Sequence, residues 1–400
     1  MKKKLVLLFL VMAFIVIPNV YAADLSGIEI HGFISQGYLQ SDENNYLADS
    51  EDGAFQFNEL GINFSKELTD KLRIGLQFFS RDLGDVGNNE VEIDWAYGDY
   101  RWQDWLGIRI GLMKMAQGFY NETRDVDMLR TFILLPQSVY IETSRDYYTR
   151  MWGGELYGEI PLNTFGSLSY RALIGTYSPD ADNSGLTKFI DDDGVFNAED
   201  MDNGIQYNGS LQWHTPLEGL RIGITGWKQR NFTTSLINSI PLGPGIPAGL
   251  PWEMELENWA TVYSLEYSWN ELILAAEYRY RETSYSVNNL PFDKTIDSEA
   301  WYASAAYRFT DWFELGTYYS ESYPDKNDKD GDRFKTIGQP DFRAWQKDFA
   351  LTARFDFNEY WLLKLEGHKM DGAGDLFILD NPDRLEEDWY LFAAKMTFNF

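Results

Sequence analysis

The side chains able to do chemistry in this 400-residue chain are few in kind. There is no cysteine, so disulfides, thiol catalysis and thiolate metal sites are excluded. The three histidines, His31, His214 and His368, fall in three separate stretches, and no nucleophile motif accompanies them. A hydrolase would have to assemble its site from distant segments. What the sequence supplies in quantity is charge. Arg73, Arg109, Arg171, Arg221 and Arg279 sit at alternate positions of apolar–polar runs, as do Glu92, Asp94, Glu155, Glu159, Glu277, Glu314, Asp348 and Glu366. One long connection adds Glu122, Arg124, Asp125, Asp127 and Arg130. Facing one another across a wet space, such groups set up a field that orders dipolar solutes and selects ions. Paired along one wall, they only stabilise it. The sequence is compatible with both.

The elements that carry these charges are strands. Ile205, Tyr207, Gly209, Leu211 and Trp213 alternate with Gln206, Asn208, Ser210, Gln212 and His214, the period of a strand with two different faces. Sixteen such runs follow one another: 28–40, 54–67, 71–82, 90–101, 106–116, 150–160, 166–177, 204–214, 219–230, 256–268, 271–283, 299–309, 312–322, 343–357, 360–370 and 387–400. Their connections alternate in length. Thr69-Asp70, Trp269-Asn270 and Thr310-Asp311 are short, whereas 117–149, 178–203 and 231–255 are long. Trp102, Trp105, Trp213, Trp269, Trp312, Trp361, Tyr267 and Tyr360 cluster beside the short turns. A soluble sandwich would not favour aromatics there. A transmembrane antiparallel β-barrel would, with short periplasmic turns, long external loops and an aromatic belt.

The first residues fit export. Lys2, Lys3 and Lys4 precede an apolar run from Leu5 to Ile17, and Val20-Tyr21-Ala22 supplies small residues before a cleavage site. This reads as a signal peptide over 1–22, with a single barrel from 23 to 400. The apolar run is shorter than the about 20 residues of a spanning helix. The expected home is the outer membrane of a Gram-negative bacterium. With 62 acidic against 34 basic residues the net charge is −28, which argues against nucleic acid as a partner. Aromatic residues make up 16%, too many for a disordered chain.

Sixteen strands enclose an aqueous lumen unless something fills it. The 117–149 connection is the candidate: Phe132–Leu135 is too apolar for an exposed loop, and Thr123–Leu129 reads as a short helix capped by Thr123. It is expected to fold inward and narrow the pore. The outer loops hold two acidic clusters, Asp191–Asp193 and Asp325–Asp332. Both fail the spacing of a calcium loop, so neither a metal nor a cofactor is expected. Lipid of the outer membrane and lipopolysaccharide are the expected surroundings. A structural or adhesive role for the surface loops is the alternative to a channel, and a barrel hydrolase a further one.

The stretch Arg109-Ile-Gly-Leu-Met-Lys-Met-Ala-Gln-Gly118-Phe-Tyr-Asn121-Glu-Thr-Arg124-Asp125, continuing to Leu135-Pro136-Gln137-Ser-Val-Tyr140, resembles the phosphate-selective group of bacterial porins. Strand count and loop position resemble the trimeric sixteen-stranded porins over the whole mature chain; the motif likeness is confined to 107–145. The resemblance implies passive diffusion of small hydrophilic solutes through a homotrimer. It does not carry over phosphate selectivity, since no lysine-rich array is present. The last strand, ending in Phe398 and Phe400, resembles the signal read by the barrel-assembly machinery.

Overall fold

The computed structural model describes residues 27–400 except Ser178, Asp180, Ala181, Asn183 and Pro291, with backbone only for Phe292. The signal segment expected at 1–22 lies outside these residues. Seventeen strands follow in chain order: β1 (Ile28–Ser41), β2 (Phe57–Thr69), β3 (Leu72–Leu83), β4 (Val91–Gln103), β5 (Leu106–Lys114), β6 (Arg150–Pro161), β7 (Ser167–Tyr177), β8 (Phe196–Asp202), β9 (Gly204–His214), β10 (Leu220–Asn238), β11 (Pro251–Trp269), β12 (Leu272–Val287), β13 (Phe292–Thr310), β14 (Phe313–Tyr323), β15 (Gln346–Asp356), β16 (Trp361–Gly372) and β17 (Asp388–Asn399). All pairings are antiparallel between neighbours. β7 pairs β9, and β17 returns to β1 from Phe33↔Asn399 to Ser41↔Leu391, closing a barrel of sixteen staves. Gly32 and Phe400 exchange two backbone hydrogen bonds of 3.0 Å at the seam. β8 stands outside the ring of staves, paired to the far end of β10.

The faces are inverted relative to a soluble protein. On β9, Ile205, Tyr207 and Leu211 are exposed, whereas Gln206, Asn208 and Ser210 are buried. A closed sheet with its apolar side chains outward and its polar ones inward suits lipid outside and water inside. The expected aromatic belt is exposed too: Trp102 and Trp105 meet edge to face at 5.5 Å beside one short turn, and Trp269, Trp312 and Trp361 stand beside others. No helix among the described residues is long and apolar enough to cross a membrane. The strands do that work.

Each of the sixteen alternating runs is a stave. The largest excesses over expectation are in β10, β11 and β13, with 19 residues each, and β12, with 16. The expected loop at 231–255 is therefore mostly strand. A register shift between Gln229 and Phe232 hides the alternation there, yet Phe232 and Leu236 beyond it still point inward and are buried. What remains, residues 239–250, is a turn held by Asn238, whose Nδ2 donates to the carbonyls of Ile240 (2.7 Å) and Pro247 (2.9 Å).

Candidate functional site

Residues 115–149 connect β5 to β6. Their contacts run to inward-facing side chains on the far wall. Gly118 N donates to Thr225 Oγ1 on β10 (3.0 Å) and Phe119 N to Glu277 Oε1 on β12 (2.8 Å). Ile133 N and Leu134 N both donate to the Glu366 carboxylate on β16, at 2.8 and 2.9 Å. Two wall glycines make room for loop rings. A Cβ on Gly223 would stand 2.4 Å from Phe119 Cε1, and one on Gly316 would stand 2.6 Å from Thr131 Cγ2. Gly223→Leu should evict the Phe119 ring, over which the Arg221 guanidinium lies at 4.1 Å. Overpacking of this kind costs about 1–3 kcal/mol; a thermal unfolding midpoint equal to that of the parent would refute the seat.

The helix expected over Thr123–Leu129 is replaced by turns and a 3-10 segment at Asp127–Leu129. Thr123 Oγ1 donates to Tyr120 O at 3.4 Å and caps nothing. The reason lies in the neighbouring side chains, each drawn to a different partner. Arg124 turns back into the loop, donating to Glu142 Oε1 (2.7 Å) and to the Tyr140 carbonyl (3.2 Å). Asp125 is buried against Arg145, at 3.0 and 2.8 Å, and against Lys114. Asp127 is buried on the other side, between Lys395 (3.0 Å), Arg130 (2.8 Å), Lys364 (3.6 Å) and Thr397 Oγ1 (2.6 Å). Arg130 passes its own carbonyl to Arg354 Nη1 (2.9 Å).

Burial alone would raise the Asp125 carboxyl, but Arg145 and Lys114 outweigh it and hold it well below the usual carboxylate range. Asp127 is likewise raised by burial and lowered further by Lys395, Lys364 and Arg130. Both are ionised, paired anchors.

Glu122 differs. It is half exposed and pairs with Arg171 beside a cavity of about 610 Å³ on the β2–β9 side of the lumen. Arg73, Arg109 and Arg171 border the same space. Arg73 donates to Ser65 Oγ (3.0 Å); Arg109 bridges Asp99 (3.0 Å) and Glu155 (3.2 Å); Arg171 also pairs with Glu155. Arg221 forks onto Glu266 at 2.9 and 2.8 Å under Phe119. Arg279 stands apart beside Arg281, bordering a small hollow with Arg124. Of the residues singled out in the sequence, Glu122, Arg73, Arg109 and Arg171 thus come together around one cavity. Asp125, Asp127 and Arg130 lie in two separate buried ion clusters.

Several partners were not singled out. Arg145 lies near the end of the long connection, where no alternation marks it, and Arg150 is the first residue of β6. Lys364 shares parity with Glu366 and His368, and that parity is the signal that places it inward. His368 is buried with Nδ1 3.1 Å from Asp348 and Nε2 3.1 Å from Glu366. Among the described residues, no group of three or more histidine or carboxylate side chains is placed to hold a metal ion.

No protein family and no curated relative matches this sequence. The fold is shared. The chain is similar to OmpT, an outer membrane protein of Vibrio cholerae, at 11% identity, over 96% of this chain and 100% of that one, with a TM-score of 0.59. It is similar to OmpF of Salmonella typhi at 13% identity, over 93% and 97%, with a TM-score of 0.56. The outer membrane channel DcaP of Acinetobacter baumannii gives 9% identity, 96% and 100% coverage and a TM-score of 0.52. At these identities the likeness is one of architecture.

Proposed function

We propose that this porin-like outer-membrane barrel is a passive diffusion channel for small hydrophilic solutes or ions, with residues 117–149 as its constriction. The observation that carries the reading is the cavity of about 610 Å³ inside the barrel, bordered by Glu122 of the loop and by Arg73, Arg109 and Arg171 of the wall. Charged groups of both signs on a hydrated inner face pass polar solutes and resist apolar ones. The likeness of 107–145 to the phosphate-selective porins belongs to this proposal, without their selectivity. So does a homotrimer, a state described for the Vibrio cholerae OmpT. Lipid and lipopolysaccharide around the apolar belt, and the barrel-assembly machinery reading the strand that ends in Phe400, complete the reading.

The proposal includes that the chain catalyses no reaction. His368 has both ring nitrogens occupied by carboxylates, so neither is free to take a proton from a nucleophile. His31 and His214 are exposed on separate strands. Purified protein should show no peptidase or lipase turnover.

The test is single-channel recording in planar bilayers. The full chain should conduct, and deletion of 121–137 should raise the conductance severalfold. An absence of conductance would overturn the channel. An unchanged conductance after the deletion would overturn the constriction.

A further inference from the structure

Arg279 and Arg281 stand two residues apart on β12, so both side chains point to the same face. Several other inward arginines end on carboxylates: Arg109 on Asp99 and Glu155, Arg221 on Glu266, Arg308 on Glu314 and Asp356, while the exposed Arg73 bonds the Ser65 hydroxyl. Arg279 does neither. It is only 6% exposed, yet among the described residues it makes no ion pair and no hydrogen bond, and its Nε is buried without a partner. Arg281 donates Nη1 to Tyr148 Oη (3.0 Å), and its Nε is also buried unpartnered.

A guanidinium does not shed its proton at ordinary pH, so burial leaves both charges in place. Two like charges on adjacent inward positions also repel. The carboxyl of Asp375 feels both guanidiniums, but it is held by Ser322 Oγ at 2.8 Å and lies beyond ion-pair distance. Arg124, the third guanidinium at the hollow, is already matched by Glu142. The unmatched charge faces a cavity of about 10 Å³ that Gln117 and Tyr148 also line. That is room for roughly one water-sized body.

We propose that Arg279 and Arg281 form a binding subsite for one small monovalent anion, either a halide or the carboxylate head of a permeating solute. The inference rests on the channel reading and adds a selector to it. A water in the hollow would accept hydrogen bonds from the pair, but only an anion would also neutralise its charge. The remaining donors are the nitrogens that now lack partners. The ion binds on its way through and leaves unchanged.

The experiment uses the full chain in planar bilayers. Conductance should saturate between dilute and molar KCl, and the reversal potential under a KCl gradient should favour chloride. Arg279→Gln and Arg281→Gln should each raise the half-saturating chloride concentration by about tenfold, the weight of one charge-assisted hydrogen bond. Both should move the reversal potential toward cations, and Arg279→Lys should restore much of the anion preference. Sodium acetate competing with the chloride current would identify carboxylate solutes as occupants; failure to compete would leave the halide. Thermal unfolding supplies the structural control, since removing an unmatched buried charge should not lower the midpoint. Linear conductance in the parent, or variants with the parent's reversal potential, would overturn the subsite while leaving the channel intact. A marked loss of stability in Arg279→Gln would also overturn it, by revealing a structural partner. Total absence of current would instead count against the channel itself.

Discussion

Asp127→Asn is expected to free the tip of the 117–149 loop from β15–β17 and to raise single-channel conductance, with frequent transitions between levels. The parent carboxylate is 1% exposed and holds three cations. An amide of the same shape keeps the Thr397 contact and removes the charge. Lys395 then retains Glu59, but Lys364 is left with the carbonyls of Asp127 and Phe132 alone. Breaking a buried ion pair from one side costs about 3–5 kcal/mol, because the surviving charge stays buried. Glu366 still holds Ile133 N and Leu134 N, so the cost falls on the loop tip and the staves remain paired. The pH dependence follows from the same group. Its folded value is depressed, so its contribution is complete above the ordinary carboxylate range and is lost only as pH falls through the depressed value. Parent conductance should therefore be level from about pH 7 to about pH 4, and an additional acid step below that should vanish in the variant. A variant with parental conductance and noise would sink the idea that Asp127 holds the loop.

The staves were legible because a membrane barrel writes its two faces into every second residue. Ile205–His214 shows this without any tertiary knowledge, and β9 spans Gly204–His214. Legibility failed where alternation was broken locally. The shift between Gln229 and Phe232 made 231–238 look like loop, although its buried Phe232 and Leu236 continue the wall. The charged residues show a different limit. Parity identified Arg109, Arg171 and Arg221 as inward, but partner choice is a property of the closed ring. Nothing local to Asp127 announces Lys364 and Lys395, which come from the last two staves. The same holds for Gly223 and Gly316. In sequence they are small residues in alternating runs, and only the approach of Phe119, Thr131 and Phe132 explains them. The expected capped helix failed for the same reason, since intrinsic preference at Thr123 lost to side chains pulled toward opposite walls.

The second large effect is expected at Arg145, which sequence reasoning did not single out. Its guanidinium is fully buried, bonds Asp125 at 2.8 and 3.0 Å and Asp94 at 2.9 Å, and lies 4.1 Å over the Phe79 ring. Lys114 touches the same two carboxylates. With Arg145→Met, Asp125 and Asp94 must share Lys114, and only Asp94 keeps further help from Gln77 and, at 3.7 Å, Arg150. The loss should again be about 3–5 kcal/mol. Adding Asp125→Asn to Arg145→Met should recover part of it, because the second change removes the charge that the first left unmatched. The sign of the pH response separates an ion-pair role from mere packing. In the parent, Asp125 is held low, so its stabilisation is present above the ordinary carboxylate range and is lost as pH falls. In the variant the main attraction is gone while burial persists, so protonation becomes favourable and acid should stabilise. Thermal midpoints between about pH 7 and about pH 4 should then rise for Arg145→Met and stay level or fall for the parent. Parallel curves would mean that Arg145 contributes by filling space over Phe79, and that the loop root does not depend on its charge.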